Sequence, residues 1–217
     1  MNFTQADINT LLKIMKARRD VRGNHFTSTA LKETSINLIL QAALTAPSVG
    51  YSQPWEFILI DDSKIKNDIF TNFQNENEKA KPLFNDRALY QNLKLEGILE
   101  APVNIAVLYT PTKAPVLGKT SMDKMGEYSV VCAIENMWLM ARALGIGMGW
   151  VSILDEENVL KTLEVPKEKK LIAYLCLGYV DEFADEPELK SLQWEEEKEL
   201  KKLLHLNRYQ KELSIST

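Results

Sequence analysis

EYSVVCAIENMWLMARAL, residues Glu127 to Leu144, decides the fold. It is apolar on nearly every side over roughly five helical turns. A helix of that kind is buried all round. Two coverings satisfy it: the rest of one chain, or the same helix of a second copy in a twofold dimer. Directly after it, Gly145-Ile146-Gly147-Met148-Gly149-Trp150-Val151-Ser152 alternates glycine with larger residues. Glycine at every second position of an extended segment opens one face, and a flat ligand could lie against that backbone. The spacing is not the dinucleotide pattern G-x-G-x-x-G.

Outward from this pair, apolar runs mark the remaining strands. Trp55 to Ile60 has few polar positions and reads as a central strand. Val103 to Tyr109 follows Pro102, and Leu171 to Val180 is a third strand, broken at Gly178. Helical periodicity covers Thr4 to Lys16, with a stripe of Ile8, Leu11, Leu12 and Met15. It covers Leu31 to Thr45 as well, where Ser28 or Thr29 could cap and Pro47 ends the element. Ser63 to Phe73 reads as a short surface helix, and Asp155 to Leu163 as another, ended before Pro166. Residues 74–97 are too polar for a core element and too aromatic for pure disorder. They are a lid or dimer-edge segment, or a partly exposed helix pair. From Asp181 the chain is acidic and then mixed in charge, an arm (181–217) with too few hydrophobes to stand alone. The expected fold is α+β: a mixed β-sheet with surrounding helices, one domain over residues 1–217, with a C-terminal arm and helix–helix dimerisation.

Composition narrows the function. The 217 residues are 45% hydrophobic and 26% charged, which suits one soluble domain with a real core. A net charge of -4 argues against a general nucleic-acid binder. Cys132 and Cys176 sit in apolar runs and read as core hydrophobes in a reducing compartment. With only His25 and His205, a histidine-rich metal site is excluded, and no metal is expected. No basic region followed by an apolar segment opens the chain, so no signal peptide is expected. No apolar run is long enough for a bilayer, so no membrane partner is expected and the location is the cytoplasm.

Two stretches carry chemistry. Ala17-Arg18-Arg19-Asp20-Val21-Arg22-Gly23 places three guanidiniums and one carboxylate together. If the first helix reaches this far, Arg18 and Arg22 share a face and converge on a phosphate. The other reading is a solvated helix end with an internal Arg–Asp pair. Ala46 to Trp55 holds Ser48, Ser52 and Gln53 beside an accessible backbone at Val49 and Gly50. Such a loop can offer donors to a flat heterocycle and a polyol, or it is a turn that merely reverses the chain.

Five stretches in order resemble the FMN-dependent nitroreductase superfamily, and within it the 5,6-dimethylbenzimidazole synthase family. They are RRDVRGNHF (Arg18 to Phe26), APSVGYSQPWEF (Ala46 to Phe57), LKLEGILEAPV (Leu93 to Val103), MGEYSVVCAIENMWLMARALGIGMGWVSIL (Met125 to Leu154) and LCLGYVDEFADEPEL (Leu175 to Leu189). The resemblance implies a nitroreductase-like homodimer with two FMN sites at its interface. It implies that Arg18, Arg19 and Arg22 lie near the FMN phosphate or adjoining polar groups, with Arg208 adding a contact from the arm. Ser48 and Gln53 would hold the ribityl chain or ring edge, and Gly149, Trp150 and Val151 would run along the isoalloxazine. The lid would include Leu93 to Glu96.

In that family reduced FMN is the substrate and O2 the co-substrate. The products are 5,6-dimethylbenzimidazole, the lower ligand of vitamin B12, and erythrose 4-phosphate. A separate NAD(P)H-dependent flavin reductase would supply the reduced FMN. Asp20 and Ser152 stand where the synthases carry an Asp and a Ser that act in breaking down the flavin. Asp20 would accept a proton or orient an oxygen group, against the plainer reading of a structural salt bridge. Ser152 has no His–Asp partner in view and would hydrogen-bond a ring nitrogen or an oxygen, against simple strand-end bonding. Iodotyrosine dehalogenases are neighbours, but their tryptophan-glutamate-tyrosine-lysine lid is missing here. Two other functions stay open: an NAD(P)H-dependent FMN nitroreductase or flavin reductase, and a non-catalytic flavin-binding protein.

Overall fold

A computed structural model describes residues 2–84 and 87–209. Residues 85–86 of the expected lid and 210–217 of the expected arm lie outside the described residues. The chain forms two compact units, Met1–Phe183 and Ala184–Thr217.

The first unit is built on four strands: β1 (Trp55–Ile60), β2 (Val103–Tyr109), β3 (Ile146–Val151) and β4 (Lys170–Tyr179), in the order β1-β2-β4-β3. All three ladders are antiparallel, and a parallel element enters through an isolated bridge between Asp20 and Met148. Trp55–Ile60, expected to be central, is an edge strand. β4 also runs unbroken through Gly178, which pairs with Gly147. A side chain at Gly178 would meet Pro102 and the Phe26 ring, so the glycine makes room for packing and does not interrupt the strand.

The strands read as continuous apolar runs because both faces are covered. Ile105, Val107, Leu175 and Leu177 belong to one core with α2 (Glu33–Leu44) and α4 (Met125–Ala143). The alternate residues Ala106, Tyr174 and Cys176 belong to a second core with α3 (Ser63–Ala80) and α5 (Glu156–Thr162). The period-2 alternation of strands thus sorts one sequence run into two cores. Each large, fully buried side chain contributes roughly 1.5–3 kcal/mol. Burial pushes the Cys176 thiol well above its usual range, in keeping with a core hydrophobe.

Helix boundaries follow from local chemistry. Thr4 and Asp7 form a reciprocal capping box that starts α1 (Gln5–Ala17). Asp62 caps α3 by accepting from Lys64 N–H and Ile65 N–H. α3 outruns the expected short helix and ends at Ala80; past Phe73 it carries the Glu76–Lys79 pair, and Asn77 Oδ1 accepts from the Tyr90 hydroxyl at 2.8 Å. Residues 74–80 of the expected lid therefore belong to α3, followed by short 3-10 turns at Lys81–Phe84 and Ala88–Asn92. Lys32, not Ser28 or Thr29, occupies the N-cap of α2 and supplies no side-chain bond there. Within the first unit α4 is buried on one side only. Val130, Ala133, Ile134, Met137 and Ala141 face the core, while Tyr128, Val131 and Cys132 are exposed. The α1 stripe forms as the periodicity predicts, yet Ile8, Leu11, Leu12 and Met15 remain 45–50% exposed.

The second unit holds two short helices, α6 (Glu188–Ser191) and α7 (Leu200–Leu203). No helix among the described residues is long and apolar enough to cross a membrane.

At Gly149 the main chain leaving α1 lies directly against β3. A Cβ on Gly149 would lie 2.1 Å from the Val21 carbonyl oxygen. Gly149→Ala is expected to lower the unfolding free energy by roughly 1–3 kcal/mol, through forced backbone displacement. A urea titration reads this directly. An unchanged midpoint would mean that Val21 can move aside.

Candidate functional site

The arginine motif begins where α1 stops. Arg18 is extended (φ -62, ψ 137), so the helix does not carry Arg18 and Arg22 onto one face as expected. Two α4 side chains fix the exit. Arg142 Nε donates to Ala17 O at 2.8 Å and Trp138 Nε1 donates to Arg19 O at 3.0 Å. The Arg18 guanidinium sits 4.9 Å from the Trp138 ring centroid, a cation–π contact. Arg19 folds back, donating from Nη1 to Lys16 O at 2.8 Å and Arg18 O at 2.7 Å.

The next two residues lie on β3. Val21 N–H donates to Met148 O at 3.0 Å, and Trp150 N–H donates to Asp20 Oδ1 at 3.1 Å. Arg22 Nη2 pairs with Asp20 Oδ2. Arg22 Nη1 donates to Leu95 O at 3.3 Å and to Trp150 O at 3.4 Å. The internal Arg–Asp pair is therefore present. The faces of Gly147 and Gly149, expected to be open to a flat ligand, are filled, the first by Val180 and Val21 and the second by the Val21 carbonyl. Gly149 and Val151 are buried, and Trp150 is half-buried with its ring 6.4 Å from that of Trp138.

Ser152 leaves β3 two residues beyond Trp150, exposed, with no hydrogen bond to its hydroxyl among the described residues. Leu93 is half-buried at the end of the 88–92 turn. Beyond it, Lys94 pairs with Glu96 and, at 2.7 Å, with Glu100. Burial pulls the Lys94 ammonium down, but the bonds to Glu100 and Glu96 outweigh it and its pKa is raised. Glu96 Oε2 accepts from Ile98 N–H at 2.7 Å, and Glu96 O accepts from Gly23 N–H at 2.8 Å. Arg208 is exposed and lies in the second unit.

The loop between α2 and β1 is held in an uncommon backbone shape. Gly50, Tyr51 and Gln53 have φ of 55, 52 and 43. Each non-glycine there stores roughly 1–3 kcal/mol of strain, which the surroundings must hold. They do so through Gln53 N–H to Ser48 Oγ (3.1 Å) and Val49 N–H to Ser129 Oγ (3.0 Å). Val116 and Leu117 press on Gly50 so closely that a Cβ would overlap them. Ser52 Oγ is buried without a hydrogen-bond partner among the described residues.

Sequence reasoning gave no role to Trp138, Arg142 or Ser129, and placed Lys94 and Glu96 only within the lid. Trp138 and Arg142, four apart on an otherwise apolar helix, were the available signal. For Glu96 the signal was an acidic residue in the apolar run LKLEGIL.

Comparison with known proteins places the chain in a family. The model of the nitroreductase family matches residues 15–179. A 5,6-dimethylbenzimidazole synthase of Rhodospirillum rubrum is 42% identical over 182 residues, covering 82% of this chain and 85% of the relative. One of Rhodobacter capsulatus is 35% identical over 201 residues, covering 90% and 96%. Among solved structures, oxidised iodotyrosine deiodinase bound to FMN and 3-iodo-L-tyrosine superposes with a TM-score of 0.69 at 21% identity, covering 92% of this chain and 98% of that one. That likeness is one of fold.

An unpartnered buried hydroxyl is a cost that alanine removes. Ser52→Ala is expected to raise the unfolding free energy by about 1 kcal/mol. Urea titration would show it, and a loss of stability would mean the hydroxyl is satisfied.

Proposed function

The chain belongs to the nitroreductase family and is a close homologue of its 5,6-dimethylbenzimidazole synthases, and from that premise we propose that it binds reduced FMN and fragments it with O2 to 5,6-dimethylbenzimidazole and erythrose 4-phosphate. The observation that carries the reading is Asp20, a carboxylate held in one orientation by Trp150 N–H and the Arg22 guanidinium at the end of β3. Ser152 follows on the same strand exit.

The residues present fit a flavin. The unpartnered Ser52 Oγ, beside Ser48 and Gln53, is a built but unused polar group that a ribityl hydroxyl or ring-edge atom would satisfy. Arg18 and Arg19 supply positive charge for a phosphate. Trp150, Val151 and Leu93 supply apolar surface for the ring. When bound, reduced FMN provides the electrons that O2 accepts. The protein's part is to orient and to exclude water. Asp20 accepts a proton or fixes an oxygen group, and Ser152 donates a hydrogen bond. Residues 74–97 act as the lid.

A second copy of the chain covers the exposed α1 stripe and the outer side of α4, which gives the homodimer. A separate NAD(P)H-dependent flavin reductase supplies reduced FMN in the cytoplasm. The competing reading is an NAD(P)H-dependent nitroreductase or flavin reductase.

The test mixes chemically reduced FMN with purified protein, admits air and follows products by mass spectrometry. The synthase reading expects 5,6-dimethylbenzimidazole to appear as FMN disappears. Intact FMN overturns it, and reduction by NADH with nitroaromatic turnover then supports the competitor. Asp20→Asn keeps the Trp150 contact through its amide oxygen and should lower product formation by about a hundredfold or more, as loss of a proton acceptor does. Unchanged yield removes Asp20 from the chemistry.

A further inference from the structure

We propose that Trp138 is a positioning residue that gives this chain a preference for a phosphorylated flavin: its indole face holds the Arg18 guanidinium and leaves the guanidinium edge free for the phosphate. This role rests on the flavin-binding half of the function proposed above, and not on the fragmentation chemistry.

A guanidinium carries its five N–H donors in one plane and none on its faces. A contact through a face therefore spends no donor. The Arg18 guanidinium carbon stands over the Trp138 ring, 4.9 Å from its centroid. Among the described residues, that guanidinium makes no hydrogen bond or ion pair. Its donor edge is available, and a planar fork of that kind matches the oxygens of a phosphate. Attraction to the ring meanwhile holds a long side chain that would otherwise sample many rotamers.

The platform itself is fixed. Trp138 is buried on α4, its Nε1 donates to Arg19 O at 3.0 Å, and its ring lies 6.4 Å from that of Trp150, tilted by 47°. An indole bonded at its N–H and packed on a second ring has little room to swing. One turn on, Arg142 Nε donates to Ala17 O at 2.8 Å, while its guanidinium lies 3.9 Å from the Phe183 ring centroid. The carbonyls just before and just after Arg18 are thus both held by α4, and Arg18 N–H donates to Ile14 O at 3.0 Å. The same helix sets the main chain on either side of Arg18 and the face of its side chain. Riboflavin ends in a hydroxyl where FMN carries a phosphate, so it gains far less from a cation held there. A platform for Arg18 separates the two flavins, whereas packing by Trp138 alone would affect both alike. A phenyl ring at 138 keeps a face for the cation, and an aliphatic chain does not.

Fluorescence titration of the full chain with oxidised FMN and with riboflavin reads this as a ratio of two dissociation constants. Wild-type protein should favour FMN by about tenfold or more. Trp138→Leu should cut that preference by about fivefold or more, with riboflavin affinity changed by less than about twofold. Trp138→Phe should keep the preference within about twofold of wild type. Arg18→Ala should lose it too, and adding Trp138→Leu should then lower it no further, since the two residues act through one contact. If Trp138→Leu does not fold, Trp138→Met, which keeps bulk without a ring face, takes its place. An unchanged preference in Trp138→Leu overturns the proposal. So does an equal loss for both flavins, which makes Trp138 a packing residue, and so does a further loss in the Arg18→Ala background. A Trp138→Phe variant as poor as Trp138→Leu overturns it as well, by putting the effect in the N–H bond to Arg19 O. Wild-type protein that binds both flavins equally overturns the proposal and leaves flavin binding standing. Wild-type protein that binds neither sinks flavin binding, and the platform's role with it.

Discussion

The close approach of Val21 to Gly149 is the constraint on which the site depends. With no side chain at 149, the Val21 carbonyl can lie where a Cβ would stand. Val21 N–H then reaches Met148 O, and the Asp20 carboxylate reaches Trp150 N–H. The arginine motif becomes a short extension of the sheet, joined to it by the bridge between Asp20 and Met148. From there Arg22 and Gly23 reach Leu95 and Glu96. Removing the close approach would undo these contacts in order, because each places the backbone that makes the next.

α4 holds the other end of the same path. Trp138 and Arg142 stand one turn apart and bond two main-chain carbonyls where α1 ends, Arg19 O and Ala17 O. Those carbonyls cannot continue the helix, since Arg18 is extended. Half-buried carbonyls left unpaired would cost roughly 1–3 kcal/mol each. A helix otherwise devoted to packing thus also terminates α1 and aims the motif at β3.

Elements whose signal is local were readable. The strands Trp55–Ile60 and Val103–Tyr109 have the expected bounds, because turn residues punctuate continuous apolar runs. α4 begins two residues early for lack of any capping side chain at Lys124. What depends on distant partners was not readable. Nothing in WEFILI separates an edge strand from a central one, since Trp55 and Ile60 are buried either way. The alternating glycines marked the right segment, but the space at Gly149 is taken by Val21, more than a hundred positions away in the chain. For the site, a carboxylate among guanidiniums announced itself. Its partners did not, because Trp150 N–H and Leu95 O are main-chain groups that carry no sequence signature. The orphaned Ser52 hydroxyl is invisible for the same reason: its meaning lies in what is not beside it.

Two carboxylates sit at the junction, and their surroundings divide the work between them. Glu96 is 2% exposed, paired with Lys94 and bonded by Ile98 N–H. A charge that deep is held for structure, since solute cannot reach it and removing its partner would strand it. Asp20 is bonded on both oxygens as well, yet its side chain is 35% exposed. An ionised carboxylate has about four lone-pair positions, more than one bond to each oxygen uses. Being pinned is therefore no argument against chemistry. A carboxylate that must meet a reacting atom at a set angle gains from a fixed orientation, provided one lone pair still faces outward. Asp20 is fixed and still reaches solvent, whereas Glu96 is fixed but buried, which is why the junction offers one candidate proton acceptor and not two.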